Sequence, residues 1–198
     1  MSLFKSKYKI ESNRLKSWDY SSEAIYFITI ASQNRKCIFG TIDTDKMVLN
    51  QNGKIIEKEL LKSIVIREHW FFHNWVIMPN HIHFLIEIKM DPSNVSLSSN
   101  TETHDVETHD VETHRSASLP IIPPKLSRKP NSISSFVAVF KSVTTKQINE
   151  LMKNSKGESI WQPNYYDHIV RNYNSLDRIY RYIKDNPKNW NTDSINSI

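Results

Sequence analysis

The chain has 198 residues, enough for one domain with a sizeable core, and 38% of them are apolar. Lys and Arg number 26 against 21 Asp and Glu, a net charge of +5 that admits a polyanionic partner without requiring one. The single cysteine, Cys37, excludes an intrachain disulfide framework and argues against a thiolate zinc site. No apolar run approaches the ~18 residues that span a bilayer, and the basic N-terminus lacks the apolar core of a secretory signal, so a reducing, cytoplasmic setting is expected.

In chain order, Ala24 to Ala31 is β-branched and aromatic and reads as a central strand. A polar turn from Asn34 to Gly40 follows, then a short edge strand at Met47-Val48-Leu49. From Gln51 to Ile66, residues Ile55, Ile56, Leu60, Leu61, Ile64 and Val65 recur at helical spacing. Phe71 to Met78 and His81 to Ile88 are strands separated by the turn signal Pro79-Asn80, which predicts an antiparallel hairpin.

From Lys89 to Pro130 the chain turns polar and repeats Glu-Thr-His-Asp-Val from Glu102 and Glu107, with a partial copy at Glu112. Such a stretch buries too little apolar area to offset its ordering entropy, so a disordered insertion at about 90–130 within one domain spanning 1–198 is expected. Its histidines, His104, His109 and His114, read as part of a low-complexity linker. Ser132 then caps a helix carrying Ile133, Phe136, Val137, Phe140, Ile148 and Leu151 on one stripe. Gly157 breaks the chain, Ile160-Trp161 begins a short extended piece, and a last helix runs from about Ser175, its expected cap, to about Asn186, with Pro187 beyond. The order predicts an α+β fold: an antiparallel sheet with helices mainly on one face.

Two constellations carry chemistry. His81 and His83 alternate on one face of a strand, with Ile82 and Phe84 on the other, so the two imidazoles are placed to share one divalent cation. The alternative is a pair of polar residues on a solvated sheet face. Glu87 shares their face and reads as a surface carboxylate. On the last helix, Tyr182 and Asn186 are four apart and lie on one face. A phenol and an amide oxygen can therefore reach the same site, one as nucleophile on a phosphodiester and the other as a cation ligand. The competing reading has Tyr182 packing the helix and Asn186 ending it. Tyr165 and Tyr166 are rival nucleophiles, or platforms for base stacking.

Four blocks, Met78-Pro-Asn-His-Ile-His-Phe84, Phe140-Lys-Ser142, Trp161-Gln-Pro-Asn-Tyr-Tyr-Asp-His168 and Tyr182-Ile-Lys-Asp-Asn-Pro187, together resemble the REP-associated tyrosine transposases, insertion-sequence-200-like, single-tyrosine members of the HUH nucleases. The resemblance covers nearly all of the chain except the insertion. It implies a ferredoxin-like or RRM-like fold, with His81 and His83 binding Mg²⁺ or Mn²⁺. Tyr182 would attack single-stranded DNA near a hairpin to give a 5′-phosphotyrosine and a free 3′-hydroxyl that later reverses the link. Asn186 stands where related enzymes carry a glutamine, and one methylene less makes its metal contact the weaker expectation. The resemblance also admits a homodimer.

The basic surplus then acquires candidate phosphate contacts: Lys141 and Arg171 first, in or next to these blocks, and also Arg14, Lys16, Arg35, Lys36, Lys146, Arg178 and Arg181. Two rival functions stay open: a catalytically silent module of the same fold that binds hairpin DNA or RNA, and a metal-dependent phosphodiesterase that uses water.

Overall fold

A computed structural model describes residues 18–89, 128–153 and 157–196, and the backbone of two short paired strands, β1 (Leu3–Phe4) and β2 (Lys7–Tyr8). Residues 90–127, with His104, His109, His114 and most of the expected insertion, lie outside the described residues, as do Arg14 and Lys16. The remaining elements are β3 (Ala24–Ala31), β4 (Gly40–Asp43), β5 (Lys46–Leu49), α1 (Gln51–Val65), β6 (Trp70–Ile77), β7 (His81–Ile88), α2 (Ile133–Leu151), β8 (Tyr166–Val170) and α3 (Tyr173–Asp185).

The central sheet has the order β6-β7-β3-β8, with every neighbouring pair antiparallel. Its strands and first two helices follow the sequence β-α-β-β-α-β, which is the ferredoxin-like arrangement. The β4–β5 hairpin stands apart from this sheet.

Alternation divides the sheet into two faces. Tyr26, Ile28 and Ile30 of β3 and Ile82, Phe84 and Ile86 of β7 point to one side, all fully buried. There they meet Ile56 and Leu60 of α1 and Ile133, Phe136 and Phe140 of α2 in one continuous core. The opposite face holds a smaller cluster in which Leu85 and Val170 pack against Ile179 and Ile183 of α3, with Ile25, Phe27, Val76 and Leu176 at its border. Two helices thus share one face, as expected, and α3 lies alone on the other.

The helices start on side-chain caps. Asn50 accepts from Gly53 N at the head of α1, and Ser132 accepts from Ser135 N at the head of α2. The last helix begins earlier than expected: Asn172, not Ser175, is its N-cap, and Asn172 Oδ1 accepts from Ser175 N at 2.8 Å. Two further expectations change. Ile160-Trp161 contributes only an isolated bridge between Trp161 and Ser32, and the fourth strand of the sheet is β8, a few residues later. Gly40, expected to close a polar turn, instead opens β4. Both strands lie at edges and are mixed in polarity, so neither has the apolar alternation of a core strand.

Candidate metal and nucleophile centre

His81 and His83 open β7 and project onto the α3 face, opposite Ala31 and Thr29 of β3. Both imidazoles are buried, and their ring centroids are 4.5 Å apart. Asn80 settles the tautomer of His81. Its Nδ2 donates to the carbonyls of Arg35 and Ile195, each at 3.1 Å, so its Oδ1 must accept from His81 Nδ1 at 2.7 Å. The Nε2 lone pair of His81 then faces the site. His83 is oriented in the same way: Nδ1 meets Thr29 Oγ1 at 2.8 Å, and Nε2 lies 3.3 Å from the hydroxyl of Tyr182. Burial holds His81 at a pKa of about 4, against the opposing pull of Asp193 and the Asn186 amide, and burial followed by the neighbouring His81 holds His83 well below the ordinary histidine range. Both rings are therefore neutral near pH 7 and able to donate to a cation.

Tyr182 is carried to the same place by α3, whose apolar stripe of Ile179 and Ile183 seats the helix on the sheet. Its ring stands edge-on to His83 and to Phe27. Burial, then the charge of Asp193, raises the phenol pKa above its usual value, with the Asn186 amide opposing. Asn186 is the C-cap of α3 and is 1% exposed. Neither of its amide atoms makes a well-formed hydrogen bond among the described residues, although the amide lies close enough to His81 and Tyr182 to act on both.

Sequence reasoning missed one member of the site. After Pro187 the chain turns through a 3₁₀ segment, Trp190–Thr192, and returns over His81, whose ring lies 6.1 Å from that of Trp190. Asp193 follows, its side chain 3% exposed, with Oδ1 accepting from Ile195 N and Oδ2 3.5 Å from His81 Nε2. His81, His83 and Asp193 can each place one ligand atom within 4.8 Å of the others. No periodicity marks this segment; its one sequence signal is an acidic residue shortly after the tyrosine helix.

These atoms test whether a cation fits. With the proton of His81 on Nδ1, Nε2 turns a lone pair toward a carboxylate oxygen, and neither atom has a hydrogen-bond partner among the described residues. Opposed lone pairs in a buried setting repel unless a positive charge lies between them. A proton is disfavoured there near neutrality by the lowered pKa of His81, so a divalent cation fits the donor set: two imidazole nitrogens, a carboxylate oxygen and the unpartnered amide of Asn186.

The other expected site residues divide. Tyr165 and Tyr166 border a cavity of about 450 Å³ that also contains Tyr182 and His83. Tyr166 begins β8, half exposed and edge-on to Phe27. The ammonium of Lys141, expected to contact phosphate, is instead engaged by the carbonyls of Gln162, Pro163 and Asn164 at 2.7, 3.3 and 3.0 Å. It holds the loop preceding Tyr165, and Trp161 Nε1 donating to Thr144 Oγ1 at 2.9 Å ties the same loop to α2. Arg171 lies at the far end of β8, in a separate polar cavity with His168 and Asn172, away from the histidines. Arg178 is exposed on α3, one turn before Tyr182. Glu87 does not join the site; its Oε2 pairs with His73 Nε2 at 2.9 Å.

Three comparisons bear on this arrangement. The sequence profile of a family described as "Transposase IS200 like" matches residues 126–186, the segment from α2 through Tyr182 to Asn186. An uncharacterised protein of Haemophilus influenzae strain Rd is 33% identical over 184 residues, 93% of this chain and 91% of that protein. Among solved structures, that of a REP-associated tyrosine transposase bound to a REP hairpin superposes with a TM-score of 0.51 at 16% identity, covering 92% of this chain and 74% of that one, a likeness of fold.

Proposed function

From the premise that this chain belongs to the IS200-like transposase family, we propose that it nicks and rejoins single-stranded DNA beside a hairpin, with Tyr182 as nucleophile and a divalent cation bound by His81, His83 and Asp193, assisted by Asn186. The observation that carries this reading is the Tyr182 hydroxyl 3.3 Å from His83 Nε2, on the same side of the sheet as every other candidate ligand. A phenol with a raised pKa is a poor nucleophile, and a bound cation would favour its phenolate and offset charge developing on the phosphate.

In this reaction the Tyr182 oxygen bonds to phosphorus and the bond from phosphorus to the 3′ oxygen breaks. The product is a 5′-phosphotyrosine, and one proton passes, by way of solvent, from the phenol to the departing 3′ oxygen. Attack by a 3′-hydroxyl on the phosphotyrosine reverses the step, so the link conserves the energy of the broken bond. Asn80 and Thr29 hold the two imidazoles with their Nε2 atoms toward the site, α3 delivers the phenol, and the Trp190 ring stacks beside His81. The donor set, rich in nitrogen, suits Mn²⁺ better than Mg²⁺, which takes oxygen ligands.

The test is incubation with hairpin-bearing single-stranded DNA and Mn²⁺, followed by a denaturing gel. A covalent adduct is expected, absent in Tyr182→Phe and in chelator. An adduct that survives Tyr182→Phe but is lost in Tyr165→Phe or Tyr166→Phe would move the nucleophile. Cleavage without an adduct would point to hydrolysis by water, and binding without cleavage to a silent module. Asp193→Asn is expected to weaken Mn²⁺ binding about tenfold or more by calorimetry; unchanged affinity would remove the carboxylate from the ligand set.

A further inference from the structure

The cavity beside Tyr182 is walled by neutral groups, among them Phe27, Thr29, Tyr166 and the contacting pair Tyr182 and His83. Arg35 is the single side chain of fixed charge among its lining residues. Its position is built. It ends the 3₁₀ turn Gln33–Arg35, where Asn34 and Arg35 both adopt left-handed backbone, with φ of 56° and 53°. Such a conformation is unfavourable for a residue with a Cβ, and it persists only where surrounding contacts enforce it.

Here the enforcing contact comes from the site. Asn80 donates to the Arg35 carbonyl through the same amide whose oxygen orients His81. Ser32, whose N–H bonds the Asn80 carbonyl and whose hydroxyl bonds the Lys36 carbonyl, closes the turn from the other end. One side chain therefore sets both the first candidate metal ligand and the backbone that carries the cavity's cation. The guanidinium is exposed, and its Nη1 donates to the carbonyl of Ser194 at 3.3 Å. A neutral carbonyl is a weak partner compared with a phosphate, which accepts the guanidinium fork through two oxygens.

Resting on the proposed reaction, we infer that Arg35 is a catalytic residue that binds the non-bridging oxygens of the phosphate attacked by Tyr182. It transfers no atom. It donates N–H bonds to oxygens that gain charge as the phenol bonds to phosphorus and the 3′ oxygen leaves.

The experiment measures adduct formation on saturating hairpin-bearing single-stranded DNA with Mn²⁺. Arg35→Ala is expected to be about 100-fold slower, with Arg35→Lys intermediate and thermal stability unchanged. With a neutral methylphosphonate at the cleaved position, one non-bridging oxygen remains, and the gap between wild type and Arg35→Ala is expected to shrink to about tenfold or less. A wild-type rate in Arg35→Ala, or a gap that is undiminished on the neutral linkage, overturns the inference; the second result would leave Arg35 only pinning the tail through Ser194. Equilibrium binding of the same DNA in a Tyr182→Phe background gives a reading independent of the chemistry. There Arg35→Ala is expected to lower the slope of log affinity against log salt by about one. An unchanged slope overturns the inference even if wild type forms no adduct, whereas a lowered slope with no wild-type adduct would keep the phosphate contact and reject the nucleophile.

Discussion

The two faces of the central sheet are made by alternate residues of the same strands, and they serve opposite ends. Toward α1 and α2, β7 presents Ile82, Phe84 and Ile86, fully buried among other hydrocarbons. Toward α3, the same strand presents His81, His83 and Leu85. Leu85 joins a small apolar cluster, while His81 keeps a ring nitrogen with no hydrogen-bond partner among the described residues. A buried polar atom left in that state destabilises the fold. The α3 face tolerates it because the apolar face supplies most of the burial, and because Asn80 and Thr29 hold the imidazoles at their far nitrogens. A one-residue step along β7 thus separates what holds the protein together from what equips it to react.

The largest expected effect breaks the comparison on the apolar side. Phe84→Ala removes a ring packed edge-on against Phe136 and Phe140 and should cost about 3–5 kcal/mol of stability in urea denaturation, with little change in Mn²⁺ affinity per folded molecule. Loss of metal affinity at full folding would mean the two faces are mechanically coupled.

Next in size is a pH effect confined to the α3 face. The pKa of His81 is depressed from 6.5 to about 4, so in metal-free buffer its contribution to stability is present above about pH 6.5 and is lost as pH falls toward 4, where the unfolded chain binds the proton and the folded one does not. The urea midpoint should fall over that window, and His81→Gln should flatten the fall. An unchanged slope in His81→Gln would assign the effect to other groups.

The smallest effect sharpens the division within the α3 face. Thr29→Val keeps the shape of the side chain but removes the oxygen that orients His83 Nδ1, and should weaken Mn²⁺ binding by about tenfold. Unaltered binding, measured by calorimetry, would show that packing against Phe27 is enough to aim His83.

Most of the site was legible along the chain. The alternation of β7 put His81 and His83 together, and the helical spacing of Tyr182 and Asn186 put the phenol and amide on one face, because strand and helix periods are local properties of the backbone. The boundaries of β3 and the capping of α2 by Ser132 were equally local. Three features were not. β8 is polar and lies at an edge, so its strand character comes from pairing with β3 instead of from its own pattern. A sequence likewise does not show that three carbonyls from a loop twenty residues later will surround the Lys141 ammonium. Asp193 lies beyond Pro187, in a segment with no period to read, and joins the histidines because the chain doubles back over them.

By itself, then, the sequence determined the helices and the apolar strands, the two-sided chemistry of β7 and the pairing of a phenol with an amide one helical turn away, since each depends only on neighbours along the chain. The tertiary structure alone decided that α3 lies on the histidine side of the sheet, bringing Tyr182 within 3.3 Å of His83, and that a returning tail sets Asp193 beside His81. Those contacts join residues about a hundred positions apart, and no local preference specifies them; the burial of one apolar stripe against another does.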